Sequence, residues 1–229
     1  MWQTIQQMQQ PKVFLFDLDG VLVDTAVFHY QAWKRLANEK LGFDISHEFN
    51  ETLKGISRAD SLERILALEN VQISEAEKAD FATLKNEWYL ELVQQMTTKD
   101  VLPGVVDFLA QTRAAGIKIG LGSVSKNAKL ILERVGIADA FDAIIDGTKI
   151  TKSKPDPEVF LKGAAELGYA PAACLVFEDA VAGVEAAKRA GMRAVGIGTA
   201  EVLTQADVVL AGFENLQLAD LLRKPELNQ

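Results

Sequence analysis

Several polar side chains stand directly after apolar segments of the chain or in the loops between them. They are Asp17, Asp19, Ser123, Lys154, Glu178 and Asp179. Crowded carboxylates repel one another unless a cation neutralises them, and Mg²⁺ prefers oxygen ligands of this kind. A phosphoryl group bound beside them would meet the metal ion, a hydroxyl group and an ammonium group. These residue types therefore predict a magnesium-dependent phosphoryl-transfer site.

Asp17 and Asp19 lie two residues apart, just after an apolar run. A carboxylate in line with a phosphorus atom can attack it and form an acyl phosphate, while a second carboxylate handles the proton of the attacking or leaving oxygen. Two structural alternatives stay open. Asp19 could be a turn residue, because Asp-Gly pairs favour turns, and Asp179 could cap the following helix, a role that is compatible with metal binding.

Six short apolar runs alternate with amphipathic, helical patterns along the chain. They are residues 13–16, 117–121, 143–145, 174–177, 194–197 and 208–210. Continuous apolar strands separated by helices predict a parallel sheet that is covered on both faces, and therefore an α/β doubly wound fold. In such a sheet the carboxyl ends of the strands meet at one edge, where ligands bind. The polar residues that follow the runs are therefore expected to converge.

One long stretch interrupts the alternation of strands and helices. Residues 25–96 contain no strand pattern, and their amphipathic segments at 26–40, 58–68 and 74–95 predict an all-helical insertion after the first strand. We therefore expect a core of residues 1–24 and 97–229 and a helical domain of residues 25–96. The Gln-rich residues 1–10 and the tail 224–229 are expected to be disordered or frayed.

Composition excludes several classes of protein. The 229 residues include 24 Lys and Arg against 32 Asp and Glu, a net charge of −8, whereas proteins that track nucleic-acid phosphates need a basic surplus. A single cysteine, Cys174, rules out an internal disulfide and suits a reducing cytoplasm, and we expect it to be an unreactive core residue. With no apolar run of membrane-spanning length, we expect a cytoplasmic protein without nucleic-acid or membrane partners.

The polar residues also resemble those of a known family. Asp17-Leu18-Asp19-Gly20-Val21, Ser123, Lys154-Pro155 and Glu178-Asp179 stand in the order of the four motifs of the haloacid dehalogenase superfamily. The resemblance implies a Rossmann-like core with a small α-helical cap. It also implies that Asp17 is the nucleophile and Asp19 the general acid and base, assisted by Ser123 and Lys154. The metal ligands are expected among Asp17, Asp19, Glu178 and Asp179, with Mg²⁺ as the cofactor.

Further motifs are Thr25-Ala26-x-x-His29-Tyr30-x-Ala32-Trp33-Lys34, Leu53-Lys54-Gly55-Ile56-Ser57-Arg58, Lys85-Asn86 and Ser123-x-Ser125-Lys126-Asn127. They narrow the resemblance to the β-phosphoglucomutases of that superfamily. The resemblance implies that Trp33 lies against a sugar, that His29 orients Asp19, and that Lys85 lies near the hinge. A loop is expected to close over the sugar, with Arg58 holding the phosphate that is not transferred; its residues are Leu53, Lys54, Gly55, Ile56, Ser57 and Arg58. The core residues that would hold the same phosphate are Ser125, Lys126 and Asn127.

The implied reaction interconverts β-glucose 1-phosphate and glucose 6-phosphate, with β-glucose 1,6-bisphosphate as intermediate and activator. The expected partner is thus a small phosphosugar, and nothing in the pattern demands more than a monomer. Two alternatives remain, a Mg²⁺-dependent sugar-phosphate phosphatase and a phosphosugar-binding regulator without turnover. Structural roles also remain open for individual residues. His29 and Trp33 could be packing residues, and Lys54 and Lys85 could be solvated charges.

Overall fold

A six-stranded parallel sheet forms the centre of the protein. The computed structural model describes residues 10–227, so the expectation about the Gln-rich start falls almost entirely outside the described residues. The strands are β1 (Val13–Phe16), β2 (Lys118–Gly122), β3 (Ala143–Ile145), β4 (Cys174–Glu178), β5 (Arg193–Ile197) and β6 (Val208–Leu210). Their order is β3-β2-β1-β4-β5-β6, and every neighbouring pair is parallel. The predicted α/β doubly wound fold is confirmed.

Helices cover both faces of the sheet, which explains why the strands are apolar apart from a few residues at their ends. The helices after the first strand are α1 (Ala26–Leu36), α2 (His47–Glu51), α3 (Arg58–Leu68), α4 (Glu75–Val93), α5 (Val105–Ala114), α6 (Ala128–Arg134), α7 (Glu158–Leu167), α8 (Val181–Arg189) and α9 (Leu218–Leu222). Alternate residues of β1 enter different cores. Phe14 packs with Phe108 and Phe177 on one face, whereas Leu15 packs with Phe160 on the other. Burial on both faces therefore fixes the register of the central strand.

The helices α1 to α4 form the predicted insertion between β1 and β2. Trp33, Leu62 and Ile65 belong to a hydrophobic cluster of the insertion itself, and α1 packs along α4. The prediction for 58–68 agrees with α3, but the segment 26–40 behaves differently. Its α-helix ends at Leu36, and a π-helical turn continues to Leu41 before Gly42 adopts φ 80°. The short helix α2 was not predicted, because five residues carry too little periodicity to detect.

The expectation of a frayed C-terminal tail is wrong for its described part. Pro225–Leu227 forms a 3₁₀ turn, and Leu227 is completely buried. Arg193 donates a hydrogen bond from Nη1 to the carbonyl oxygen of Leu227. This contact ties the end of the chain to β5, a long-range effect that the polar composition of the tail does not reveal. Within residues 10–227, no helix has both the length and the apolar character needed to span a membrane.

Candidate active site

The sheet order brings Asp17 and Glu178 together. Strands β1 and β4 are neighbours with Phe16 opposite Phe177, and the backbone N–H of Asp17 donates to the carbonyl oxygen of Phe177 at 2.9 Å. The residues that end these two strands therefore lie side by side at the carboxyl edge of the sheet.

The side chain of Lys154 contacts both of these carboxylates. Its Nζ lies 2.6 Å from Oδ1 of Asp17 and 2.7 Å from Oε2 of Glu178, and all three side chains are buried. Although burial alone would lower the pKa of Lys154, the charges of Asp17 and Glu178 raise it well above its usual value. Lys154 therefore stays protonated and neutralises part of the negative charge at the sheet edge.

Asp17, Glu178 and Asp179 form a compact carboxylate cluster, with one oxygen from each residue lying within 4.8 Å of the others. Burial, followed by the charge of Asp17, raises the pKa of both Glu178 and Asp179. Two glycines make room for the carboxylates. A Cβ at Gly20 would lie 2.1 Å from Oδ2 of Asp179, and one at Gly183 would lie 1.9 Å from Cδ of Glu178. Buried, mutually repelling carboxylates fit a divalent cation, which would offset their charge.

Asp19 lies outside this carboxylate cluster. It sits in a turn in which Gly20 has φ 76° and donates its backbone N–H to Val23 at 2.8 Å. Its Oδ1 is buried and has no hydrogen-bond partner among the described residues. Burial, and then the charges of Asp17 and Asp179, raise the pKa of Asp19 to about 8. Asp19 therefore lies in a turn and also has a pKa suited to proton transfer, since a carboxyl with this pKa exchanges protons near neutral pH.

Asp179 does not cap the helix that follows it. Helix α8 begins at Val181 with Ala180 as its N-cap residue, and the backbone N–H of Ala180 donates to Oε1 of Glu178 at 3.2 Å. The side chain of Asp179 instead faces Lys54 of the helical insertion at 3.4 Å. The capping alternative is therefore wrong, and the carboxylate remains available to a cation.

A cavity of about 650 Å³ lies between this sheet edge and the helical insertion. The core contributes Asp17, Asp19 and Asp179 to its wall, and the insertion contributes Trp33 and the whole loop from Leu53 to Arg58. The loop residues are Leu53, Lys54, Gly55, Ile56, Ser57 and Arg58. Most of the residues predicted from the sequence therefore surround a single space.

Two cations on this wall lack a carboxylate partner within the described chain. Arg58 opens helix α3, and Lys126 stands in the loop after β2. The same loop is held by two hydrogen bonds, because Ser123 Oγ accepts from the N–H of Ser125 at 3.1 Å and Ser125 Oγ accepts from the N–H of Asn127 at 3.2 Å. Ser123 itself is buried and does not line the cavity. Two uncompensated positive charges and a loop of polar groups suit an anionic ligand.

The half-buried His29 and the buried Lys85 form a pair on the insertion side of the cavity. Nδ1 of His29 lies 2.8 Å from Nζ of Lys85, and its ring stacks on Tyr89 with centroids 4.2 Å apart. Burial, reinforced by nearby cations, lowers the pKa of both His29 and Lys85. Lys85 also lies 4.6 Å from the ring centroid of Trp33. Lys85 is therefore no solvated charge, and the described hydrogen bond of His29 goes to Lys85 rather than to Asp19.

Asn50 and Asp60 were not identified from the sequence, and Asn86 entered only within the Lys85-Asn86 pair that supports the resemblance, without a role of its own. Asn50 is buried in the cavity wall, Asn86 accepts a hydrogen bond from Asn127 at 2.8 Å, and Asp60 contacts Ser153. Asn86 directly follows Lys85, but a single polar residue on a helix gives no sign of what it faces. The last two contacts join the insertion to the core across long sequence separations, which periodicity does not reveal.

The cysteine is not part of the site. Cys174 is buried at the start of β4, at the opposite end of that strand from Glu178. Burial raises the pKa of its thiol to about 11, so the reactive thiolate is disfavoured near neutral pH.

Known proteins with similar sequences or structures include β-phosphoglucomutases and a hexitol phosphatase. The chain is 45% identical to β-phosphoglucomutase of Bacillus subtilis, over 90% of this chain and 92% of that protein. It is 30% identical to hexitol phosphatase B of Escherichia coli, over 92% and 94% of the two chains. The crystal structure of β-phosphoglucomutase from Clostridium difficile superimposes with a TM-score of 0.91 at 43% identity, over 96% of this chain and 98% of that one. The model of the haloacid dehalogenase-like hydrolase family matches residues 11–191, and the chain belongs to that family.

Proposed function

We propose that this protein is a β-phosphoglucomutase, an isomerase that interconverts β-D-glucose 1-phosphate and D-glucose 6-phosphate. The observation that carries the proposal is the cavity. Asp17 and Asp19 line it, and so do Arg58 and Lys126, two cations without a carboxylate partner among the described residues. A mutase must hold two phosphates at once, one under attack and one held at a distance. The similarity to two β-phosphoglucomutases supports the same reading.

In the proposed cycle, Asp17 carries a phosphoryl group that it first receives from β-glucose 1,6-bisphosphate. The 6-hydroxyl oxygen of β-glucose 1-phosphate attacks the phosphorus, the bond between phosphorus and the Asp17 oxygen breaks, and Asp19 takes the hydroxyl proton. The bisphosphate then turns over, and Asp17 attacks the 1-phosphoryl group. The departing C1 oxygen takes the proton back from Asp19, which leaves glucose 6-phosphate and restores the phosphorylated enzyme.

The carboxylate cluster is the proposed site of Mg²⁺. Asp17, Glu178 and Asp179 supply oxygen ligands of the type that Mg²⁺ prefers. A magnesium ion bound there would offset negative charge on the transferring phosphoryl group. Lys154 adds a fixed positive charge beside Asp17. Asp19 lies outside the cluster, so we assign its carboxylate to proton transfer rather than to the metal.

The helical insertion is proposed to act as a cap comprising residues 25–96. Trp33 lines the cavity but is only 2% exposed and packs in the hydrophobic cluster of the insertion, so contact with a sugar is limited to the part of its ring that reaches the cavity. The loop from Leu53 to Arg58 lines the cavity beside it. The His29–Lys85 pair lies beside Trp33. Since water that reaches phosphorylated Asp17 releases inorganic phosphate, a cap that excludes water favours transfer to the sugar.

A single assay distinguishes the mutase from a sugar-phosphate phosphatase. The enzyme receives β-glucose 1-phosphate, Mg²⁺ and a small amount of β-glucose 1,6-bisphosphate, and glucose 6-phosphate and inorganic phosphate are measured together. We expect glucose 6-phosphate to accumulate with little phosphate release. Phosphate release that matches substrate loss, with little glucose 6-phosphate, would contradict the proposal and favour a phosphatase. Binding without any turnover would favour a regulator.

The nucleophile is tested by trapping the intermediate. After exposure to β-glucose 1,6-bisphosphate, mass spectrometry of the digested protein is expected to find a phosphoryl group on the peptide that contains Asp17. The Asp17→Asn variant should lack this modification and all turnover. Phosphorylation of a different peptide would show that the nucleophile is misassigned.

A further inference from the structure

Asp60 and Ser153 form a contact between the helical insertion and the core that none of the catalytic steps above uses. Asp60 lies in the first turn of α3, two residues after Arg58, and Ser153 directly precedes Lys154. The hydroxyl of Ser153 donates to Oδ2 of Asp60 across 93 positions of sequence. The contact therefore links the segment that carries one cavity cation to the segment that carries the lysine beside the nucleophile.

The insertion side of this contact is oriented by the start of the helix. Ser57 is the N-cap residue of α3, and its Oγ accepts from the backbone N–H of Asp60 at 3.1 Å. The same hydroxyl donates to Oδ2 of Asp60 at 2.7 Å. Burial would raise the pKa of Asp60, but the hydrogen bonds from Ser153 and Ser57 hold it below its usual value. Asp60 is therefore an ionised acceptor in a fixed orientation.

The core side is oriented by Glu158 at the start of α7. Its Oε2 accepts from the backbone N–H and the hydroxyl of Thr151, at 2.9 and 3.0 Å, and from the backbone N–H of Lys152 at 2.8 Å. Lys162 holds the other oxygen of Glu158 at 2.7 Å. This set of bonds fixes the two residues before Ser153, so the hydroxyl of Ser153 is presented on an ordered loop.

The position of the contact relates it to closure of the cavity. Thr151, Lys152 and Ser153 line the cavity from the core, and Ser57, Arg58 and Asp60 line it from the insertion. The wall is closed at this point only when the two segments meet, and they meet through the hydrogen bond between Ser153 and Asp60. The contact lies at the exposed rim of the cavity, one residue before Lys154, whose Nζ lies 2.6 Å from Asp17. Its loss would therefore let the two segments separate close to the nucleophile.

We propose that Asp60 and Ser153 are positioning residues whose contact holds the insertion closed over the core and thereby sets the ratio of phosphoryl transfer to hydrolysis. This inference rests on the proposed mutase function, because the ratio compares a sugar hydroxyl with water as acceptor. In both outcomes the bond between phosphorus and the Asp17 oxygen breaks. The sugar oxygen or the water oxygen forms the new bond, and the proton of that acceptor leaves to a base.

The test compares Asp60→Asn, Ser153→Ala and the double variant with the unaltered enzyme under the mutase assay. We expect each single variant to form about tenfold less glucose 6-phosphate per phosphate released, with a higher KM for β-glucose 1-phosphate. The double variant should form as much glucose 6-phosphate per phosphate released as either single variant, because both changes remove the same contact. Ser153→Thr keeps the hydroxyl and should retain most of the original ratio. Asp80→Asn alters an exposed aspartate of α4 and should change nothing.

Hydrolysis of a small aryl phosphate separates positioning from damage to the reacting groups. This substrate has no sugar to enclose, so the variants should hydrolyse it at the original rate or faster, with unchanged thermal unfolding. An unchanged transfer ratio in both single variants would overturn the proposal, as would effects that multiply in the double variant or an equal loss of aryl phosphate hydrolysis. Failure of the mutase function itself would look different, because the unaltered enzyme would then form no glucose 6-phosphate.

Discussion

Lys154 is almost completely buried, and its ammonium group contacts the buried carboxylates of Asp17 and Glu178. Removing one partner of a buried ion pair leaves the other charges uncompensated, at a cost of about 3–5 kcal/mol. We expect Lys154→Met to abolish turnover and to lower the free energy of unfolding by about this amount in mildly alkaline solution. The loss should shrink as the pH falls through about 8, because burial and the charge of Asp17 raise the pKa of Glu178 to about 8 and its carboxyl then takes up a proton. Chemical denaturation at several pH values measures both effects.

A second change checks that this instability comes from charge. Lys154→Met combined with Glu178→Gln removes one carboxylate together with the cation, so above pH 8 it should be more stable than Lys154→Met alone. If the double variant were less stable than the single one, lost packing of the lysine stem would explain the result better than charge.

Replacing Asp19 should reduce activity without reducing stability, unlike the replacement of Lys154. Its carboxyl is buried, has a pKa raised to about 8 and leaves Oδ1 without a partner among the described residues. Asp19→Asn removes the group that moves the proton, so we expect kcat to fall by about 10²–10⁴. Because the amide carries no charge, thermal stability should be kept or increased. Asp139→Asn, a change at an exposed position, should alter neither quantity. Retained kcat in Asp19→Asn would exclude the proton-transfer role.

At the scale of single residues, the sequence predicted the chemistry of the site more fully than it predicted the surroundings of each side chain. The types and order of Asp17, Asp19 and Lys154 were enough to predict phosphoryl transfer. The burial of Lys85 was not predictable, because a lysine on an amphipathic helix is usually solvated. Its neighbour Tyr89 lies one helical turn further along α4, whereas its neighbour His29 lies 56 positions earlier in the chain. The three side chains meet only because α1 packs on α4.

Among the secondary-structure elements, α8 shows how closely the helices approach the carboxylates. Gly183 lies in the first turn of this helix, and a Cβ there would lie 1.9 Å from Cδ of Glu178. Alanine favours a helix over glycine by about 1 kcal/mol, but overpacking costs about 1–3 kcal/mol. We therefore expect Gly183→Ala to lower both stability and Mg²⁺ affinity. Thermal unfolding and titration calorimetry with Mg²⁺ measure the two effects.

Gly163→Ala in α7 is the matched control. Its new Cβ would meet Cδ2 of Leu15 at 3.0 Å, the end of a flexible side chain in the apolar core rather than a carboxylate. This variant should keep its Mg²⁺ affinity whatever its stability. Equal loss of Mg²⁺ binding in both variants would show that Gly183 acts through general packing and not through Glu178.

The elements themselves were largely predictable because each carries a local signal. The apolar runs became strands, and Gly168 ends α7 with φ 79°, a backbone conformation that favours glycine. The order of the strands was not predictable from any one run, since it depends on how the crossovers wind around β1. Helix α2 and the π-helical turn after Leu36 were also missed, because their geometry comes from packing within the insertion.

The charge of the whole molecule is unevenly distributed. A net charge of −8 coexists with a cavity wall that carries Arg58 and Lys126, for which no carboxylate partner lies among the described residues. The acidic composition argues against nucleic-acid binding, while two such cations suit an anionic ligand. Composition alone predicted only the first of these properties, because the second depends on how the insertion folds back onto the sheet.

Magnesium binding is expected to stabilise the whole fold, and by an amount that depends on pH. Burial, followed by the charge of Asp17, raises the pKa of Asp179 to about 6 and that of Glu178 to about 8, so protons compete with the metal ion in the folded state. In acid these carboxyls hold protons and Mg²⁺ binds weakly. As pH rises through these values the protons leave, so the difference in unfolding free energy between Mg²⁺ and a chelator should increase. A tenfold gain in affinity corresponds to about 1.4 kcal/mol when the ion is in excess. Asp179→Asn should remove most of this increase, and a stabilisation that is the same at every pH, or larger in acid, would place Mg²⁺ away from the carboxylate cluster.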